Sequence, residues 1–254
     1  NKLIAGAALS LLAGTAAQAQ TVLKVHHFLP SGSSSQVKII APWCAKIEKE
    51  SGGELKCQIY PAMQLGGTPP QLLDQVRDGV ADIVWSVPTY SAGRYTKSEV
   101  FELPFMAINA KQGSQALWEY VQKNALDEYK GIKPLFMHTT EGYVLHSNKP
   151  ILKLEDMKGK KIRTATRISA RMMSAMGGTP VQMPLPQVPD ALSKGVIDGA
   201  VIPWEVVPSV KVNELAKFHS EFDPKLPALY TTTFVMAMNQ KKYDSLPADL
   251  KKVI

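Results

Sequence analysis

Five basic residues fall within ten positions in KGKKIRTATR (158–167). Such a run is either a solvated face or a frame holding one arginine toward an anion. Its middle, Lys161-Ile162-Arg163-Thr164-Ala165, reads as a short strand with side chains alternating between faces. Ser169–Met176 reads as a helix. Arg163 then stands at the carboxyl end of a strand, just before a helix N-terminus whose free N–H groups also favour an anion. A guanidinium can grip a carboxylate with two parallel bonds. Each hydrogen bond to a charged group is worth roughly 1.5–3 kcal/mol, against about 0–1 kcal/mol for a surface ion pair. Lys158, Lys160 and Lys161 read as the solvated face, and Arg167 is a candidate second anion contact.

The remaining chemistry-bearing residues are sparse. The five histidines are His26, His27, His138, His146 and His219. None stands at a recognisable catalytic spacing from a cysteine or carboxylate, and the chain has no GxSxG, HExxH or GxGxxG. A secreted enzyme, the main rival class, is therefore a remote alternative. Cys44 and Cys57 have twelve residues between them. In an oxidising compartment they suit a disulfide worth roughly 3 kcal/mol in the chain-entropy model; two separately buried thiols are the alternative. Two cysteines make half a zinc site, so no metal is expected.

At 254 residues, 45% hydrophobic and 20% charged, the chain has ordinary globular composition. No run in its body is long enough for a transmembrane helix. The formal charge of +7 suits anionic ligands or plain solubility, and no basic run interleaved with aromatics suggests nucleic acid. Residues 1–19 differ from the rest. Lys2, the apolar stretch from Leu3 to Ala13 and the Ala17-Gln18-Ala19 site have the pattern of a secretory signal peptide cleaved after Ala19. The expected location is the periplasm.

The elements that must position Arg163 follow a simple order. Thr21–Phe28 reads as a strand, and Ser33 caps a helix that runs to Ser51 with a kink at Pro42. Leu55–Tyr60 is a second strand. Thr68-Pro69-Pro70-Gln71 starts a second helix, which Gly79 stops, and Val80–Val87 is a third strand. This β-α-β-α-β order argues for a parallel α/β sheet. VRDGVADIV (76–84) is then echoed by LSKGVIDGA (192–200), with Gly79, Val80 and Asp82 matched by Gly195, Val196 and Asp198. The echo predicts two similar α/β lobes with a ligand cleft at their strand ends. The expected division is 20–141 with 231–254 in lobe I and 142–230 in lobe II. Strand 231–239 crosses back to the first lobe, and the chain ends one turn into an apolar helix, as if C-terminal helices were missing.

YPAMQLGG (60–67), LPF (103–105), LEDMKGKKIR (154–163), GGTPVQMPL (177–185) and ALSKGVIDGAV (191–201) together resemble the periplasmic solute-binding receptors of tripartite ATP-independent periplasmic (TRAP) transporters, the dicarboxylate-receptor-like (DctP) group. The resemblance implies a two-lobed periplasmic binding protein fold with crossing hinge strands. It implies a monomeric, non-enzymatic receptor without cofactor that hands a small organic acid to membrane permease subunits. It also makes Arg163 the carboxylate clamp. A binding protein of an ATP-driven importer would share the form.

Where sialic-acid-type members carry a second arginine, this chain has Tyr143; where they have an asparagine, it has Phe28. Trp85 and Trp204 follow the two echoed units. Sugar hydroxyls need dense polar partners, so this aromatic set suits an aromatic or hydrophobic monocarboxylate better than a C4-dicarboxylate. Gln64, Val87, Thr166 and Tyr230 lie near the family's contact positions. Members that bind a cation place glutamate before tryptophan; the order here is Trp204-Glu205, which argues against a metal.

Overall fold

A computed structural model of the chain describes residues 20–223 and 225–254; the leader expected at 1–19 lies outside them. The strands are β1 (Thr21–His27), β2 (Leu55–Tyr60), β3 (Ile83–Ser86), β4 (Ile132–Thr139), β5 (Val144–Ser147), β6 (Lys161–Thr164), β7 (Thr179–Gln182), β8 (Gly199–Ile202), β9 (Phe218–Ser220) and β10 (Thr233–Asn239). The α-helices are α1 (Ala41–Glu50), α2 (Leu72–Asp78), α3 (Ala110–Asn124), α4 (Arg167–Ala175), α5 (Val188–Ser193), α6 (Val212–Leu215), α7 (Gln240–Ser245) and α8 (Ala248–Val253).

The strands form two five-stranded sheets, ordered β2-β1-β3-β10-β4 and β7-β6-β8-β5-β9. In each, three strands pair in parallel and two more are joined by antiparallel pairing, so that one strand, β10 or β5, runs against the other four. The parallel strands follow from the helical crossovers between them. The interior strand β10 is buried along its whole length, as its near-continuous apolar sequence requires.

Local chemistry accounts for the main boundaries. Thr68 and Gln71 form a capping box before α2, and Gly79 ends that helix at φ +81°, a conformation that favours glycine. The first helix is less regular than its sequence suggests. Its opening, Gln36–Ile40, is a π-type turn that passes into α1 at Ala41. Pro42 has no N–H to offer the preceding carbonyls, and the chain widens just ahead of it. Only half of the expected capping box forms at Ser33: its hydroxyl accepts from Gln36 N (3.4 Å), while the Gln36 side chain turns to His27. Cys44 on α1 and Cys57 on β2 are joined by a disulfide with Cα atoms 5.6 Å apart. It pins the first helix to the edge of its sheet.

The chain crosses from the first sheet to the second through residues 140–143 and returns through 229–232. These segments pair with each other: Thr140 N donates to Thr232 O (3.1 Å) and Tyr143 N to Tyr230 O (3.0 Å). A buried carboxylate anchors the crossing. Glu102, 0% exposed, accepts from Thr89 Oγ1 (2.7 Å), Thr233 N (3.0 Å) and Tyr230 Oη (3.2 Å). Beside it, the Arg167 Nε at the start of α4 donates to both carboxylate oxygens of Glu99 (2.6 and 2.8 Å). The hinge is thus held by polar bonds running from one lobe to the other.

Candidate functional site

The parallel strands of both sheets end at the space between the lobes. A small cavity of about 50 Å³ lies there. Phe28 follows β1, Trp85 lies on β3, His138 on β4, Phe234 on β10, Tyr143 on the crossing segment and Arg163 on β6; all line it. Leu185, Ile202, Pro203 and Val206 add an apolar surface from the second lobe. The cleft is closed over this space. Ser34 Oγ donates to Glu205 O (3.1 Å), and Leu185 N donates to Tyr90 Oη (3.3 Å), each bond joining the two lobes.

Arg163 is the cavity's cationic end. Lys161 opens β6 at the surface, and Arg163, two residues on and on the same face of the strand, is buried, with only 2% of it exposed. Its Nε donates to Met183 O (2.9 Å) and its Nη1 to Val201 O (3.2 Å). These two bonds fix the guanidinium and leave further N–H groups for an anion. Among the described residues no carboxylate forms an ion pair with it. The Tyr90 hydroxyl sits beside it; burial holds that hydroxyl above its ordinary range, with the guanidinium pulling the other way.

The opposite wall is a set of rings. Trp85 and Phe234 stack at 4.3 Å between centroids, His138 and Phe234 at 5.1 Å, and Phe28 and Trp85 at 5.6 Å. Trp85 Nε1 donates to His138 Nε2 (3.1 Å). An indole nitrogen can only donate, so the imidazole proton belongs on Nδ1, which lies 3.3 Å from Thr139 O. Burial lowers His138 to about 4, so the ring is neutral and behaves as part of the aromatic wall. Tyr143 closes one side, edge-on to Tyr230 at 4.8 Å, and burial pushes its hydroxyl up.

Of the residues singled out in the sequence, Phe28, Trp85, Tyr143 and Arg163 line the cavity, and the others do not. Arg167 is engaged by Glu99 at the hinge. Thr166 and Tyr230 are bonded to each other (2.7 Å) and belong to the hinge network. The first turn of α4 is capped by Thr166 and Ser169, so its N-terminus is not an anion seat in the cavity. Gln64 is exposed on the turn after β2, and Val87 is buried in the core. Trp204 is 40% exposed; it packs on His146 and donates from Nε1 to Glu221 (2.6 Å). Sequence reasoning missed Phe234, Tyr90, Leu185, Glu205, Ser34 and Ser35, and gave His138 no binding role. Alternation along TTTFVMAMN was the available signal for Phe234. No local pattern marks the rest.

The sequence profile described as "Bacterial extracellular solute-binding protein, family 7" (DctP) matches residues 25–254. The chain belongs to this family. Solved structures agree in fold and in sequence. A TRAP solute-binding protein from Rhodoferax ferrireducens, crystallised with copurified benzoate, is 52% identical with a TM-score of 0.91, over 92% of this chain and 73% of that one. A marine metagenome TRAP solute-binding protein specific for aromatic acids, with 3-hydroxybenzoate bound, is 48% identical with a TM-score of 0.90 over the same shares. A Bordetella bronchiseptica TRAP protein holding both enantiomers of mandelate is 27% identical with a TM-score of 0.84, over 91% of this chain and 73% of that one. This receptor is therefore a two-lobed TRAP solute-binding protein, in a family of periplasmic receptors for small solutes.

Proposed function

We propose that this receptor binds a small aromatic monocarboxylate between its lobes and delivers it, as an exported monomer, to TRAP membrane permease subunits. The observation that carries the ligand class is Arg163: a cation buried without an acidic partner, at one end of a cavity whose other walls are rings. Leaving a charge buried and unpaired is costly, and a ligand carboxylate relieves that cost. Phe28, Trp85 and Phe234 offer the ligand's ring stacking surfaces worth about 0.5–1.5 kcal/mol per pair beyond area burial. A C4-dicarboxylate fits less well. Among the described residues Arg163 is the only lysine or arginine lining the cavity, and a second carboxylate would meet Glu205.

Binding from both lobes biases the receptor toward its closed form, because only the closed form offers both sets of contacts. Arg163 holds the carboxylate from the second lobe, and Phe28 and Trp85 cover the ring from the first. The test is tryptophan fluorescence titrated with benzoate, mandelate and succinate, beside Arg163→Ala. An aromatic acid saturates the wild type, and the variant loses at least about 100-fold in affinity, as removal of two charge-assisted bonds implies. Equal affinity in the variant would make Arg163 a structural cation. Succinate binding in place of the aromatic acids would overturn the ligand class.

A further inference from the structure

Arg163 and Tyr90 reach the cavity from different lobes and are held by one short segment. Tyr90 ends the turn Pro88–Tyr90 that follows β3 in the first lobe. Its Oη accepts from Leu185 N (3.3 Å). Two residues before Leu185, Met183 O accepts from Arg163 Nε (2.9 Å). Residues 183–185 of the second lobe therefore set the phenol and the guanidinium side by side, and both side chains line the cavity. The ring of Tyr90 also packs on Phe28, at 5.7 Å between centroids.

A backbone N–H only donates, so the bond from Leu185 uses an acceptor site on Oη and leaves the phenol proton unspent. Among the described residues this is the one hydrogen bond that the hydroxyl makes. Glu102, the buried carboxylate of the hinge, takes its bonds from Thr89, Thr233 and Tyr230 and none from Tyr90. The O–H of Tyr90 and the remaining N–H groups of Arg163 are thus neighbouring donors, one from each lobe, without an acidic partner from the chain. Resting on the aromatic-acid reading above, we infer that Tyr90 donates to the ligand carboxylate from the first lobe while Arg163 grips it from the second. A carboxylate has two oxygens and about four acceptor sites, enough for both. The bond accepted from Leu185 N polarises the phenol and makes it a better donor. The carboxylate then bridges the lobes in its own right, so the charged group biases the receptor toward closure together with the ring.

Wild type and Tyr90→Phe titrated calorimetrically with benzoate and mandelate test this. Isotope-edited infrared spectra of the tighter acid, labelled at its carboxyl carbon, accompany them. Phenylalanine keeps the ring beside Phe28 and removes only the hydroxyl. The dissociation constant is expected to rise about tenfold or more. The carboxylate stretching bands of the bound acid are expected to move, because the group has lost one of its hydrogen bonds. Equal affinity in Tyr90→Phe overturns the inference and leaves the aromatic-acid reading standing. So does weaker binding with unmoved bands, which makes the hydroxyl a latch on Leu185 and not a ligand group. A wild type that binds neither acid removes both readings together.

Discussion

The two sheets share a frame and differ at its ends. Asp82 and Asp198 occupy the same place in each. Their Oδ2 atoms accept from the backbone N–H of Lys24 and Lys161, both at 2.8 Å, and their own N–H groups donate back to the same residues' carbonyls (3.0 and 2.7 Å). Their carbonyls accept from Asn239 N and Asn148 N (2.8 and 2.9 Å). The glycines three residues earlier both have positive φ, +81° and +66°. Beyond this frame the lobes part. Two residues past Lys24 stands His26, bonded to Gln75; two past Lys161 stands Arg163. Trp85 on β3 has the register of Val201 on β8, and Phe234 that of Tyr143. One lobe supplies the aromatic wall and the other the charge. Backbone-anchored positions carry the fold, and strand ends carry the chemistry.

Acid separates the lobes most. His27 and His138 lie on the first sheet and His146 on the second, and burial lowers each to about 4. The unfolded chain takes up protons below about 6.5, while these folded imidazoles stay neutral until about pH 4. Stability is therefore full above 6.5, falls as pH drops toward 4 and changes little more below that from this source. At pH 5 the loss is up to about 2 kcal/mol for each of these three, and the first sheet, which holds two of them and also His26, lowered by burial, loses more than the second. Hydrogen exchange at pH 5 and 7.5, corrected for intrinsic rates, should show protection falling more in β1 and β4 than in β5 and β6. Equal loss would mean that the two lobes unfold as one unit.

A smaller effect tests the shared frame. Asp82→Ala and Asp198→Ala each leave a strand N–H without its partner, at a cost of about 1–3 kcal/mol. The two variants should lower the urea midpoint by similar amounts, since each aspartate closes the same ring of bonds. A large inequality would show that the resemblance between the units is geometric without being energetic.

The frame was legible because its signals are local. A stop glycine, a capping threonine and the apolar strand runs operate within a few residues, and they located α2, β2 and β6. The repeated unit was visible as sequence because each copy closes on its own neighbouring strand. The ring wall was only half legible. Phe28 and Trp85 stand at the ends of parallel strands that the echo exposed. Phe234 and His138 meet through antiparallel pairing of β10 with β4, across residues nearly a hundred apart, and no local pattern encodes that register. Thr166, Tyr230 and Arg167 stand at the hinge and not on the cavity for another reason: a hinge needs satisfied polar groups as much as a ligand does, and these residue types serve both. Trp204 follows Pro203 out of β8, so the turn carries its ring to the outer face beside His146.

Arg167 gives the finest test of that division between hinge and ligand residues. Its guanidinium binds both oxygens of Glu99, which is 4% exposed, so removing it strands a nearly buried carboxylate. The arginine side chain is itself 35% exposed, and water can reach the vacated space. That screening keeps the expected loss of stability small. Arg167 does not line the cavity, so Arg167→Ala should change the affinity for an aromatic acid less than threefold while lowering the melting temperature by a few degrees. A loss of affinity comparable to that of Arg163→Ala would place Arg167 on the ligand. Unchanged affinity with reduced stability would confine anion recognition in KGKKIRTATR to Arg163, because the other basic side chains of that run are solvated or paired.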